Sequence, residues 1–387
     1  MSEFGREAAR LLAERGMSLR QAAKLTHYDV SYLSKVINGR KAGSAKLAAA
    51  LDKMLDAGGH LAALAAPAGR GVADVDLIEL ARGAEVSDLG SGTLGLLDAA
   101  VDRMCRDYPT EDPAELSENA ARHLRYVTKL LGGRVTLAQH RDLLVAAGWL
   151  AALLACTCYD AGDAQAAETA RVMVGQFGTQ AGHPELVAWS FEIAAWYALT
   201  EGRFRDTVAL SEAGLEHAGT TSAAVQLALQ AARGYARMGD SQAREALSAG
   251  HAILARLPEP EHPDHHFTFD HGKHEFYVTT ILTCLGDDHT AREHAEEVMR
   301  QCAQAAGWPM RLGMTLLDVA LLAGRHGDLD EAFSHGLAAL RLPRRSAQLL
   351  PRAAELRDDL AARYPGERLV AEYDEALAGH DGRLALG

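Results

Sequence analysis

Apolar residues recur at helical spacing from Phe4 onward, and local punctuation divides the first sixty residues into short helices. Phe4–Arg15 stops at Gly16, and Ser18 caps Leu19–Thr26. After the link His27-Tyr28-Asp29, with Asp29 as N-cap, Val30–Ile37 runs to the C-cap pair Asn38-Gly39. Ser44–Ala57 supplies a fourth helix before Gly58-Gly59. Two short helices separated by three residues, the second rich in small polar side chains, form the pattern of a helix-turn-helix. Gly58–Asp76 is rich in Gly, Ala and Pro and predicts a linker, so the expected domains are 1–60, a linker 61–76 and a body 77–387.

The body reads as helical almost to its end. Gly-Asp or Gly-Arg turns recur at Gly162, Gly202, Gly239, Gly286 and Gly327, at spacings of 40, 37, 47 and 41, each between an apolar helix and an Ala-rich one. Helical hairpins at this interval are similar to tetratricopeptide repeats, whose period is about 34. That similarity implies a right-handed superhelix of about five units, with Asp98–Leu131 as a degenerate first unit and Arg352–Leu377 as a cap. Leu143–Tyr159 has no charge for 17 residues but contains Gly148, Thr157 and many alanines, and it predicts a buried helix, not a membrane span.

Composition agrees with an all-α chain: alanine is abundant and aromatics make up 6%, too few for a long β-rich architecture. Five cysteines without zinc spacing, and no N-terminal signal pattern, fit a reducing cytoplasm. The net charge of −13 is unevenly divided. Residues 1–60 hold 10 Lys/Arg against 6 Asp/Glu, +4 in all, and the rest hold 29 against 46, or −17. Only the head suits a phosphate backbone.

The segment SLRQAAKLTHYDVSYLSKVINGRK resembles the helix-turn-helix of the Cro/phage-repressor-like, or xenobiotic-response-element-like, family. Ala23 falls where the two helices touch, Leu25, Leu33 and Val36 at core positions, and His27 where the family commonly has Gly in a left-handed turn. With the repeat blocks behind it, the chain resembles actinobacterial regulators in which a Cro-like head precedes a tetratricopeptide-like body. The resemblance implies double-stranded DNA as a partner. Val30, Ser31, Ser34 and Lys35 are expected to read base edges, and Arg20, Lys24, Arg40 and Lys41 to contact phosphates.

No catalytic constellation is present: no Gly-x-Ser-x-Gly elbow, no phosphate loop ending in Gly-Lys-Ser/Thr and no His-Glu-x-x-His, so no enzyme and no cofactor are expected. Gly90–Gly95 satisfies G-x-G-x-x-G but lacks the flanking strands of a dinucleotide site and reads as a turn capping a helix. The loop Glu259–Lys273 holds His262, His265, His266 and His271 in a spacing that matches no standard metal site, and no metal is assigned. Its readings are an ordered structural loop, with Phe267 and Phe269 as anchors, part of a ligand pocket, and a transition-metal site made by the imidazoles with Asp264 and Asp270.

Polar residues that interrupt apolar faces of the body helices mark a candidate groove. Trp189, Glu192, Trp196, Gln226, Gln230, Tyr277 and Arg311 are the expected ligand-binding set, roofed by the His-rich loop; each alone also fits an inter-repeat contact. The reading is a cytoplasmic, homodimeric transcription regulator whose repeats sense a peptide or small-molecule effector, with no membrane partner. The alternative is an interaction scaffold localised by a DNA-binding head.

Overall fold

The computed structural model describes residues 2–65, 82, 85–90, 92–304, 308–344 and 346–384. It divides into two compact units, residues 1–85 and 86–387, and all regular structure among the described residues is helical.

The first unit contains α1 (Glu3–Glu14), α2 (Leu19–Thr26), α3 (Val30–Ile37), α4 (Ala45–Leu55) and α5 (His60–Ala65). Its boundaries are set by capping. Ser18 and Gln21 form a reciprocal capping box on α2, Asp29 accepts from the Tyr32 N–H at 3.0 Å, and Ser44 accepts from Leu47 at 3.2 Å. His27 closes α2 in the left-handed region at φ 59°, the backbone that a Gly would adopt without strain. Gly5 sits where α1 meets α3: a Cβ there would lie 2.3 Å from the Ile37 carbonyl oxygen.

Two expectations are corrected here. Leu25 is 59% exposed, because α2 turns Ala22, Ala23 and Thr26 inward and only such small side chains fit at its crossing with α3. Residues 61–65, read as the start of a linker, continue helix α5. Leu61 is wholly buried with the head's core, and the Asp52 carboxylate accepts from the N–H groups of Gly59 at 2.6 Å and Ala62 at 2.8 Å. The remainder of the expected linker, 66–76, lies outside the described residues, as does Ser91 of the Gly-rich turn.

The second unit runs from α6 (Thr93–Asp107) and α7 (Pro113–Leu131) through five antiparallel hairpins: α8 (Leu137–Asp160) with α9 (Ala164–Ala181), α10 (Pro184–Thr200) with α11 (Phe204–Ala218), α12 (Ser222–Arg237) with α13 (Gln242–Leu254), α14 (His271–Leu285) with α15 (Asp288–Gln304), and α16 (Pro309–Arg325) with α17 (Leu329–Leu340). A last pair, α18 (Leu349–Arg363) and α19 (Arg368–Leu384), follows. The five hairpin glycines all have positive φ, between 67° and 90°, a region that costs other residues strain. First helices stack on first helices, α8 on α10 and so on to α18, so they are apolar almost all round. The long apolar helix α8 is one of these: 72% of its most apolar window is buried inside the protein.

Equivalent positions of successive first helices bond to one another. Gln226 and Gln230 donate to Glu192, at separations of 34 and 38 residues, and Thr280 and Arg352 donate to Asp318, at 38 and 34. Two connectors depart from the repeat and reach back across it. Residues 255–270, between α13 and α14, touch α6: the His266 N–H donates to the Cys105 carbonyl at 3.0 Å, and Arg106 pairs with Asp264 at 2.7 Å. Residues 341–344 and 346–348, between α17 and α18, reach the end of α8, where Arg344 and the Ala347 N–H both bind Asp160.

Candidate functional sites

In the first unit, α3 presents one polar face. Val30, Ser31 and Lys35 are exposed and Ser34 is half-buried, while Leu33, Val36 and Ile37 face the core. Asn38 donates to the Ser34 carbonyl at 2.9 Å and to its hydroxyl oxygen at 3.3 Å, which leaves the hydroxyl proton to donate outward. Arg20, Lys24, Arg40 and Lys41 are exposed, and among the described residues none has a carboxylate partner. Lys41 lies 5.0 Å over the ring of Tyr32, which stacks on Tyr28 at 5.9 Å. This aromatic pair beside the recognition helix was not singled out from sequence, where Tyr32 reads as one more residue of a short amphipathic helix.

In the second unit, a cavity of about 850 Å³, counting its open mouth, lies between the first helices and the two connectors. Of the seven residues expected around a ligand, Glu192, Trp196, Gln226, Gln230, Tyr277 and Arg311 line it. Trp189 does not. It is fully buried behind the wall, edge-on to Phe267 at 5.1 Å, because α10 is buried on every side and its inward face could not be told from its inter-helix face.

The polar part of the wall is one connected set. Glu192 is buried and accepts through one oxygen from Gln226 and Gln230, both at 2.8 Å; burial raises its carboxyl above the ordinary range. Arg233 donates to Gln230 at 3.1 Å and to Gln348 at 2.8 Å, and lies 5.1 Å over the ring of Tyr277. Arg311 stacks on Trp308 at 3.9 Å and pairs with Asp270, the N-cap of α14. Asp318, on the same helix as Arg311, is bonded to Thr280 and Arg352 instead.

The His-rich loop forms the roof. Phe267 and Phe269 are buried at 3% and 2% exposure, and Phe267 packs between Trp149 and Trp189. The Lys273 ammonium donates back to the carbonyls of His266 at 2.9 Å and Thr268 at 3.4 Å. Among the described residues, no cluster of three or more His, Cys, Asp or Glu is placed to hold a metal. Lys273, His265 and His266 line the cavity. So do Tyr108 and Gln348, which sequence reasoning missed because they sit in connecting segments with no helical face to betray them.

Burial lowers the His265 imidazole to about 4, against the field of Asp102 and Asp264 and helped by Lys273 and His262, and pulls His266 well below the ordinary imidazole range. Both are therefore neutral in the fold, whereas an unfolded chain binds their protons near pH 6.5. The unfolded state then holds more protons between about pH 6.5 and 4, so stability should fall as pH falls through that window. Glu275 is held down at about 2, chiefly by hydrogen bonding to His274, and its contribution fades only below the ordinary carboxylate range near 4.5. Denaturant midpoints across pH 4.5–6.5 should thus decline in the native chain and decline less steeply in His265→Asn, where His266 alone of the two remains. Parallel curves would contradict neutral burial of His265.

Residues 3–65 match the family model of a helix-turn-helix domain. No curated protein matches the chain. The matched span covers α1 to α5, including the helix that extends past the expected linker boundary, and it makes the N-terminal unit a helix-turn-helix, DNA-binding head.

Proposed function

We propose that the protein is a non-enzymatic transcription regulator: its head binds an operator, and its tetratricopeptide-like body senses a peptide or small-molecule effector in the cavity beneath the His-rich loop. The observation that supports the sensing half is the cavity itself, in which buried aromatic faces converge with buried amides and cations, the make-up of a selective ligand pocket. A scaffold would place its binding chemistry on an open surface; here it is roofed.

A single small head makes few contacts, so pairing through the body would bring a second head to a second half-site and raise affinity through effective concentration. An effector in the cavity would touch the first helices and both connectors at once. Any preference for one spacing of these elements becomes a coupling free energy between ligand and DNA.

The test begins with genome-wide footprinting to recover the operator. Replacing Ser34 or Lys35 with alanine should then cost about 1–3 kcal/mol at that operator and much less on random DNA. The Arg40→Ala/Lys41→Ala double variant should weaken binding to all DNA and make the salt dependence shallower by about two units of slope. Equal losses on both DNAs in the first case, or an unchanged slope in the second, would refute these assignments.

A further inference from the structure

The cavity wall holds charges and orphaned polar atoms that together specify a ligand. Arg233 is buried and Lys273 half-buried, yet among the described residues every hydrogen-bond acceptor of either is neutral: two backbone carbonyls for Lys273, two side-chain amides for Arg233. Arg311 is already paired with Asp270. Against Lys273 and Arg233 stands one buried carboxylate, Glu192, whose partners are also neutral amides. The lining thus has a surplus of at least one positive charge. Burial holds the Lys273 ammonium down at about 8, so it remains protonated at neutral pH.

Two wall amides each leave one atom without a partner. Gln226 donates its amide N–H to Glu192, and that leaves its carbonyl oxygen Oε1 bare. Gln348 accepts from Arg233, and that leaves its amide nitrogen Nε2 bare. The orientation of each amide is forced by its neighbour: the Glu192 oxygen that takes two N–H groups can only accept, and a guanidinium can only donate. Both residues are more than nine-tenths buried, so each orphan is costly until a ligand satisfies it. Around them stand the rings of Trp196, Tyr277 and Phe276.

We propose that the cavity takes a monoanionic ligand with a flat apolar body, a carboxylate-class group seated against Lys273 and Arg233, and a separate hydroxyl or N–H donor for Gln226. An anion in this place neutralises the surplus charge, offers an acceptor to Gln348 and covers the aromatic wall. A cationic ligand would add to the surplus, and the net −17 of the chain beyond residue 60 does not describe this wall. The assignment rests on reading the cavity as the effector site, and it fixes the effector's chemical class.

The probes are 6-hydroxy-2-naphthoate, its neutral amide, 2-naphthoate, and the cation 2-naphthylmethylammonium, titrated calorimetrically into the full-length chain at neutral pH. The hydroxy acid should bind at least about tenfold tighter than its amide, since a hydrogen bond to a charged group is the stronger kind. Loss of the hydroxyl in 2-naphthoate should cost about three- to tenfold. Lys273→Met should bring the acid down to the level of the amide; if that variant fails to fold, the comparison of acid, amide and ammonium on the native chain decides alone. Binding of the amide or the ammonium as tight as that of the acid overturns the charge assignment and leaves the cavity as a ligand site. Failure of all four probes at millimolar concentration overturns the cavity as a site for such ligands, whereas the operator tests of the head stand or fall separately.

Discussion

Asp160→Asn should destabilise the body by about 3–5 kcal/mol, measured by denaturant unfolding followed by helical circular dichroism. Asp160 is fully buried at the end of α8, where it accepts from Tyr108 at 2.7 Å, from Arg344 at 2.8 Å and from the Ala347 N–H at 2.7 Å. Arg344 is itself 5% exposed, so removal of the carboxylate's charge takes from a desolvated guanidinium its attraction to Asp160. The amide also places an N–H donor where only acceptors are wanted. An exposed ion pair would cost at most about 1 kcal/mol, and a loss of that size would show that water reaches this contact. The tie joins residues 184 and 187 positions apart and positions Tyr108 and Gln348 around the cavity, so the same variant should weaken ligand binding in conditions where it stays folded.

How much of this could be read from the sequence depends on how local the cause is. The caps at Ser18 and Asp29 and the hairpin glycines act within a few residues, and the helices they bound lie where the pattern placed them. Helix α5 was hidden because His60–Ala65 lies between Gly58-Gly59 and Pro67, and what holds it is the burial of Leu61 and the reach of Asp52. Six cavity residues were legible because a polar or aromatic side chain breaks the run of an otherwise apolar first helix. Trp189 failed the same reading, since on a helix buried on all sides an aromatic marks no particular face. Tyr108 and Gln348 came into the site from connecting segments and Lys273 from the first turn of α14, all three held there by contacts 52 or more residues away in sequence or by the loop that precedes α14.

The other large effect concerns the buried network that joins α14, α16 and α18. Asp318 is fully buried and accepts from Thr280 at 2.7 Å and from Arg352 Nε at 3.0 Å, and Arg352 goes on to Glu355 at 2.7 Å, which also pairs with Arg237 at 2.6 Å. Burial of the pair costs desolvation that its attraction only partly offsets, so the two ways of disrupting it should differ sharply. Arg352→Met alone strands the Asp318 carboxylate with only the Thr280 hydroxyl and should cost about 3–5 kcal/mol, whereas Asp318→Leu leaves the Arg352 cation its pairing with Glu355 and should cost less. The double variant leaves no buried charge at either position and conserves apolar volume, so its loss should be far smaller than the sum of the two, with a coupling energy of several kcal/mol. Strict additivity of the two single losses would mean that the residues act independently and that the hydrogen-bonded ladder does not hold the first helices together. Non-additivity with little loss in the double variant would instead show that each buried charge is there chiefly to neutralise the other, so that the pair ties α16 to α18 without adding much net stability.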